Sequence, residues 1–396
     1  MRILHISFAD SGGAGLCCLR IHQSLLKIGV ESKVVCFYKK SDVPEVYRYG
    51  SRTTLFIERA FSKFLDLIGI RLTKRSRLQE LYREKKAPYS LVTSFFDLTK
   101  NEWGEWADII QLHWVNWYVD YPSFFRKVKK PIIMTLHDEN LFCGAAHYTK
   151  DIIPDNEMEK ELQQLKLNVI EPLQNVTIVF LSNYMHQQFM HHPIVNGKRQ
   201  VVINNAVDGD LYRLYDKKEM RQKYDISDSS VLFAFMANDI FDSRKGIDVL
   251  VTVLDEINKD LKIKILAIGG NPSNKDVPAI IVSVGQINDA DEVSRLLSCC
   301  DFFAMPSYQE AFAQSPLEAM ACGLPVVAFP CSGVSELINN RNGVICEDFT
   351  KEALYEGILL LMSRDYNHHE IRDDVLNRFS SQVIAEKYKK LYEEIV

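Results

Sequence analysis

The feature that most constrains this chain is an alternation of strand-length apolar runs with helix-length amphipathic stretches, repeated in two series. The first half reads "RILHISF", a helix over Ala14 to Lys27, then "KVVCFY", "DIIQLHW", "PIIMTLH", "VTIVFLS" and "QVVIN". The second reads "VLFAFMA", "KIKILAIGG", "AIIVSVG", "DFFAMPS" and "PVVAF". Between the latter lie helices such as "GIDVLVTVLDEINKD", where Ile247, Leu250, Val251 and Leu254 follow the 3.6-residue period. Strands alternating with helices predict parallel sheets buried on both faces. Two such series predict an α/β chain of two Rossmann-like, doubly wound domains, 1–203 and 204–379, joined between Asn204 and Ser230. A cleft between domains of this kind, at the carboxyl ends of the strands, is where a ligand is expected.

Composition narrows the class. No run approaches the ~20 apolar residues of a membrane span, and "MRILHISFADSGG" reads as a first strand, not a signal peptide. The nine cysteines are odd in number, contain no CxxC pair and sit mostly in apolar runs, which points to a reducing, cytoplasmic setting. The net charge of −5 divides into +6 for residues 1–200 and −11 for 201–396, so the halves are expected to meet different partners. Residues 53–86 interrupt the first series. Ile57, Phe61, Phe64, Leu65 and Ile68 share one helical face, followed by Arg71, Lys74, Arg75, Arg77, Arg83, Lys85 and Lys86. This reads either as a packed helix with a solvated basic tail or as a surface that rests on anionic lipid, peripheral to the inner face of the membrane.

The chemistry concentrates in "SYQEAFAQSPLEAMACGLPVVAF", residues 307–329. Glu310 follows a buried strand. Ser315 fits an N-cap, Pro316 a first helical position, Glu318 the third residue after the cap, and Gly323 a helix end. Ser315 with Glu318 is therefore readable as a capping box, and Glu310 as an ordinary loop carboxylate. A helix N-terminus at the carboxyl end of a parallel strand, however, is an anion site, while carboxylates accept bonds from hydroxyls. A sugar nucleotide offers both groups. Arg244 and Lys245 point the same way: they precede a helix that starts near Gly246, where cations oppose the helix dipole unless an anion lies between.

These residues carry a resemblance. "PSYQEAFAQSPLEAMACGLPVVAF" with "CSGVSELI" resembles the nucleotide-sugar signature of the family 4 glycosyltransferases, retaining enzymes of the two-domain GT-B fold. "SGGAG", "MTLHD", "VVINNAVDGDLY", "RKG" and "NDADEVSRLLSCCDFFAMPS" extend it through nearly the whole chain, and "TLHDENLFCGAAHYT" is similar to a subgroup that builds bacterial exopolysaccharide and O-antigen. The resemblance implies transfer of a hexose-type sugar from a nucleoside diphosphate-sugar to a glycan or lipid-linked saccharide, with no metal, no cofactor and no nucleic acid. It implies that Glu318 holds the ribose, Glu310 the donor sugar and Lys245 the diphosphate. Arg244 and the amides of Ala313, Gln314 and Ser315 would serve the same region, Gly13 would let phosphate approach the backbone, and His137 would lie beside the transferred sugar. A C-terminal helix, 380–396, would cross back to the first domain. The usual Gly-Phe-Gly is Ala311-Phe312-Ala313 here, and the family's arginine is out of register with Arg244.

Other candidates are weaker. His147 is expected on the acceptor side, and His113 is shared between packing and lining the cleft. "DGD" at 208–210 and "DAD" at 289–291 mimic a metal-binding motif but fall where Asp serves as a cap. "GGAG" after the first strand would suit a dinucleotide, yet Lys39 and Lys40 stand where that site wants a carboxylate. The remaining rival is an inactive sugar-nucleotide sensor or scaffold.

Overall fold

A computed structural model describes residues 1–50, 53, 56, 78, 87–258, 262–272 and 274–396. The apolar face and basic cluster of 53–86 thus lie outside the described residues, apart from an exposed Phe56 and a buried Leu78.

The chain forms two compact units, Met1–Ile203 with Ala385–Val396, and Asn204–Ile384. The first holds seven parallel strands: β1 (Arg2–Ala9), β2 (Glu31–Tyr38), β3 (Val46–Arg48), β4 (Ile109–Leu112), β5 (Ile132–Leu136), β6 (Val176–Phe180) and β7 (Arg199–Val202). Their spatial order is β3-β2-β1-β4-β5-β6-β7. Its described helices are α1 (Gly12–Lys27), α2 (Glu102–Trp106), α3 (Tyr121–Lys127), α4 (Glu157–Ile170) and α5 (Asn183–Phe189). The second unit holds β8 (Val231–Asp239), β9 (Ile263–Gly270), β10 (Ile281–Gly285), β11 (Phe302–Met305), β12 (Val326–Ala328) and β13 (Gly343–Ile345), ordered β10-β9-β8-β11-β12-β13. Around them lie α6 (Lys217–Lys223), α7 (Ile247–Ile257), α8 (Ala290–Ser298), α9 (Gln314–Ala321), α10 (Lys351–Met362) and α11 (His368–Phe379). A last helix, α12, spans Ser381–Ile395.

Strands β4, β5 and β6 are buried at every position, as continuous apolar runs covered on both faces must be. β10 departs from that expectation: it is an edge strand with Val282 exposed. Strands β3 and β13, of three residues each, lie outside the apolar runs read from the sequence. In the second unit Phe233, Phe235, Leu250, Leu254, Ile265 and Leu354 form the centre of one core. The nine cysteines are all free and buried, as small apolar residues would be.

Strand order reverses between β1 and β4 in one unit and between β8 and β11 in the other. Such switch points leave a crevice at the carboxyl ends, because the connections on either side run to opposite faces. In the second unit, the loops that emerge there carry residues 240–246 and 306–313.

Candidate functional site

In the second unit two loops meet at the switch point. Gly246 takes the left-handed conformation (φ 72°) and caps α7; a Cβ there would lie 2.1 Å from the Pro306 carbonyl oxygen. Only glycine permits that approach. Tyr308 donates its amide to the Arg244 carbonyl at 2.9 Å, tying the loops together. As a result the Lys245 ammonium meets the Glu310 carboxylate in a partly buried ion pair. Arg244 is held against Asp242, with Nη2 donating to Oδ2 at 2.6 Å and Nε to Oδ1 at 3.2 Å. Burial pushes the Asp242 carboxyl up, but the bonds and charge of Arg244 hold it below the usual range.

Helix α9 begins at Gln314 with Ala313 in the cap position, so Ser315 is its second residue and not its N-cap. The capping-box reading fails on this register. Pro316 is still tolerated, since amides in the first turn have no intrahelical partner. Glu318 is buried within α9. Neither Ala311 nor Ala313 needs a glycine conformation; Ala313 sits at φ −69°, ψ 131°. Asn205 Nδ2 donates to the Phe312 carbonyl at 3.1 Å and Ser332 Oγ to that of Ala311 at 3.3 Å, fixing the loop from two sides. Of the look-alike motifs, Asp289 caps α8 by accepting from the Asp291 amide, and Asp208 accepts from the Asp210 amide.

In the first unit Gly12 (φ 74°) turns the chain from β1 into α1. Gly15 lets that helix sit on the strand end: a Cβ there would be 2.5 Å from the Ala9 carbonyl oxygen. A Cβ on Gly13 would meet nothing within 4 Å, so packing within the chain does not require glycine at that position. Asp10 brackets the neighbouring loop, accepting from the amides of Lys40 and Ser41 and from Ser41 Oγ.

At the ends of β4 and β5 a pocket is lined by His113, Trp114, Asn116, His137, Asp138 and Asn140 among others. Asp138 accepts from Trp114 Nε1 at 2.8 Å and lies 2.5 Å from His147 Nδ1, while His147 Nε2 meets Ser90 Oγ at 2.9 Å. Burial raises the Asp138 carboxyl, yet the charge and bond of His147 keep it below the usual range. The Asp–His–Ser order resembles a hydrolase triad, but Ser90 is wholly buried and cannot meet a substrate. His147 departs from its expected acceptor role for the same kind of reason. It is buried with both ring nitrogens engaged, so it holds Asp138 instead.

The loop between Asp138 and His147 is fastened by α4. Lys166, wholly buried, donates to the carbonyls of Asn140, Cys143 (2.9 Å) and Gly144 (2.7 Å), and burial lowers its ammonium to about 8. Glu159 accepts from the amides of Ala145 and Ala146 at 2.9 and 2.8 Å. Asp138, Lys166 and Glu159 were not legible as site residues. The first hides in "MTLHD" beside His137, and the other two sit at buried positions of a helix that is mostly charged and polar.

Residues 231–364 match the family model described as glycosyl transferases group 1. The chain is 24% identical over 218 residues to the N-acetyl-alpha-D-glucosaminyl L-malate synthase of Bacillus anthracis, covering 52% of this chain and 56% of that protein. It is 28% identical over 143 residues to the N,N'-diacetylbacillosaminyl-diphospho-undecaprenol alpha-1,3-N-acetylgalactosaminyltransferase of Campylobacter jejuni, covering 34% of this chain and 38% of that protein. The matches therefore span about half the length of these relatives or less. Among solved structures, Anabaena Alr3699/HepE in complex with UDP-glucose superposes with a TM-score of 0.65 at 17% identity, covering 100% of both chains. Two doubly wound α/β domains, expected from the strand series, and the GT-B type, implied by the resemblance, are thereby shown as the fold.

Proposed function

With residues 231–364 placed among the group 1 glycosyltransferases, we propose that this protein is a retaining glycosyltransferase. It moves a hexose-type sugar from a nucleoside diphosphate donor to a glycan or lipid-linked saccharide, without a metal. The observation that carries this reading is the Lys245–Glu310 pair at the switch point of the second unit, next to the N-terminus of α9. A cation and a carboxylate held together in a crevice match the two faces of a sugar nucleotide, a diphosphate and a hydroxyl-bearing ring.

In this mechanism the donor's diphosphate takes over Lys245 and the amides of Ala313, Gln314 and Ser315, and Glu310 turns to the sugar hydroxyls. Charge that builds on the departing diphosphate meets groups already in place, which is electrostatic preorganisation. Glu318 binds the ribose, and Arg244 reaches phosphate only by leaving Asp242. Gly13 and His137 of the first unit keep the roles the family likeness gives them, and that unit serves the acceptor. The Campylobacter relative's name includes a diphospho-undecaprenol acceptor, which supports a lipid-linked saccharide here.

Screening UDP-, GDP- and ADP-sugars for hydrolysis, then for transfer to a saccharide, tests the reading; a folded protein that turns over none of them contradicts it. Lys245→Ala should slow turnover by roughly 10²-fold, a loss of about 2.7 kcal/mol of transition-state stabilisation. Full activity in that variant would remove the diphosphate from Lys245.

A further inference from the structure

The first unit contains a line of three imidazoles of which the proposed chemistry uses only one end. His5 lies on β1, His113 just past β4 and His137 just past β5, on three neighbouring strands. His5 Nδ1 is 3.0 Å from His113 Nε2, and His113 Nδ1 is 3.0 Å from His137 Nε2. Burial lowers the basicity of all three rings, His137 to about 4 against the opposing pull of Asp138, so each is neutral at physiological pH.

A neutral imidazole has one N–H and one lone pair. His113 must then donate in one link and accept in the other, so the protons all point the same way along the line. If they point inward, the line ends in an N–H at His5 Nε2. If they point outward, it ends in an N–H at His137 Nδ1, on a residue that lines the pocket. Among the described residues His5 Nε2 is buried without a partner. His22, whose ring lies 6.3 Å away, cannot supply one: its Nε2 donates to the Pro44 carbonyl and its Nδ1 accepts from Ser32. Orphaned buried donors are rarer than under-used acceptors.

We propose that His5 and His113 are positioning residues that lock His137 as its Nδ1–H tautomer, so that the ring presents a hydrogen-bond donor to an oxygen of the bound sugar. The sugar part rests on the transferase reading above. The line is a lock and not a proton exit, because a proton passed inward would stop at His5 Nε2.

The test is a long-range ¹H–¹⁵N spectrum of the full chain with ¹⁵N-labelled histidine, His137 being assigned by its loss in His137→Gln. The expected pattern is a protonated Nδ1 and an unprotonated Nε2 at His137 without any substrate; the opposite pattern overturns the proposal. In His5→Phe, His113 loses its donor, so His137 should shift towards the Nε2–H form. Its kcat should fall by about fivefold to tenfold, with affinity for the bare nucleoside diphosphate unchanged. A folded His5→Phe protein whose His137 tautomer stays as in the parent also overturns the proposal. The spectrum needs no turnover, so it separates failure of the lock from failure of the transferase reading. Should His5→Phe not fold, the parent spectrum still decides.

Discussion

Glu310 and Glu318 sit eight residues apart in the chain, and their surroundings give them different work. Glu310 neutralises Lys245, so it competes with any phosphate for that ammonium. Glu310→Gln should therefore tighten binding of a bare nucleoside diphosphate, by about threefold for a partly exposed pair, while impairing transfer. Glu318→Gln should weaken the same binding, since the ribose contact exists without a sugar. Calorimetric titration of both variants checks this, and a Glu318→Gln protein with unchanged affinity and a lower Tm would leave that carboxylate a purely structural group. At this scale the sequence was informative where spacing sets geometry: Lys245, Gly246 and Glu310 all lie in the loops that meet. It was silent where geometry comes from packing. Nothing in the spacing of His5, His113 and His137 announces a hydrogen-bonded line, because strand neighbours bring together residues 108 and 24 positions apart.

Among the elements, α4 has an importance out of proportion to its polar sequence. Its Lys166 saturates the turn that follows Asp138, and its Glu159 binds the two amides before His147. Lys166→Met should strand at least two buried carbonyls at about 1–3 kcal/mol each, lowering Tm by several degrees and loosening the pocket loop in hydrogen exchange. Removal of a buried ammonium that is already less basic than usual offsets part of this. The three-imidazole line makes a separate prediction about acid. Each ring's folded pKa lies below its unfolded value of about 6.5, so the unfolded chain binds more protons as pH falls. Stability contributed by each ring is complete above that value and is lost towards pH 4, by up to about 1.4 kcal/mol per pH unit per ring. Denaturant melts at pH 7 and pH 5 should show the loss, and His137→Gln should reduce its steepness. Strands and helices themselves were the most legible level, since apolar runs and 3.6-residue periods are local properties. The start of α9 was not, because Ser315 and Ala313 can both precede a first turn and tertiary packing of Ala311–Ala313 selects the earlier one.

For the whole molecule, charge is divided unevenly between the two halves of the chain. The first 200 residues carry +6, and seven of their basic side chains fall within 71–86, just after the apolar residues between Ile57 and Ile68. Among the described residues no helix is long and apolar enough to cross a membrane. We propose that this segment attaches the protein to anionic lipid, each Lys or Arg near the surface being worth about 1 kcal/mol. Co-sedimentation should require anionic vesicles, weaken with salt, and drop when Lys74, Arg75 and Arg77 become Ser. A protein that ignores such vesicles has a solvated basic tail and a soluble acceptor.

The last stretch, Ala385–Val396, belongs with the first unit, where buried Tyr392 donates to Gln111 on β4. On the ribosome, then, the domain made first is finished last. Its sheet emerges early, but the tyrosines that seal it are translated only after the entire second unit has been synthesised. For that interval the nascent chain holds an unsealed hydrophobic seam.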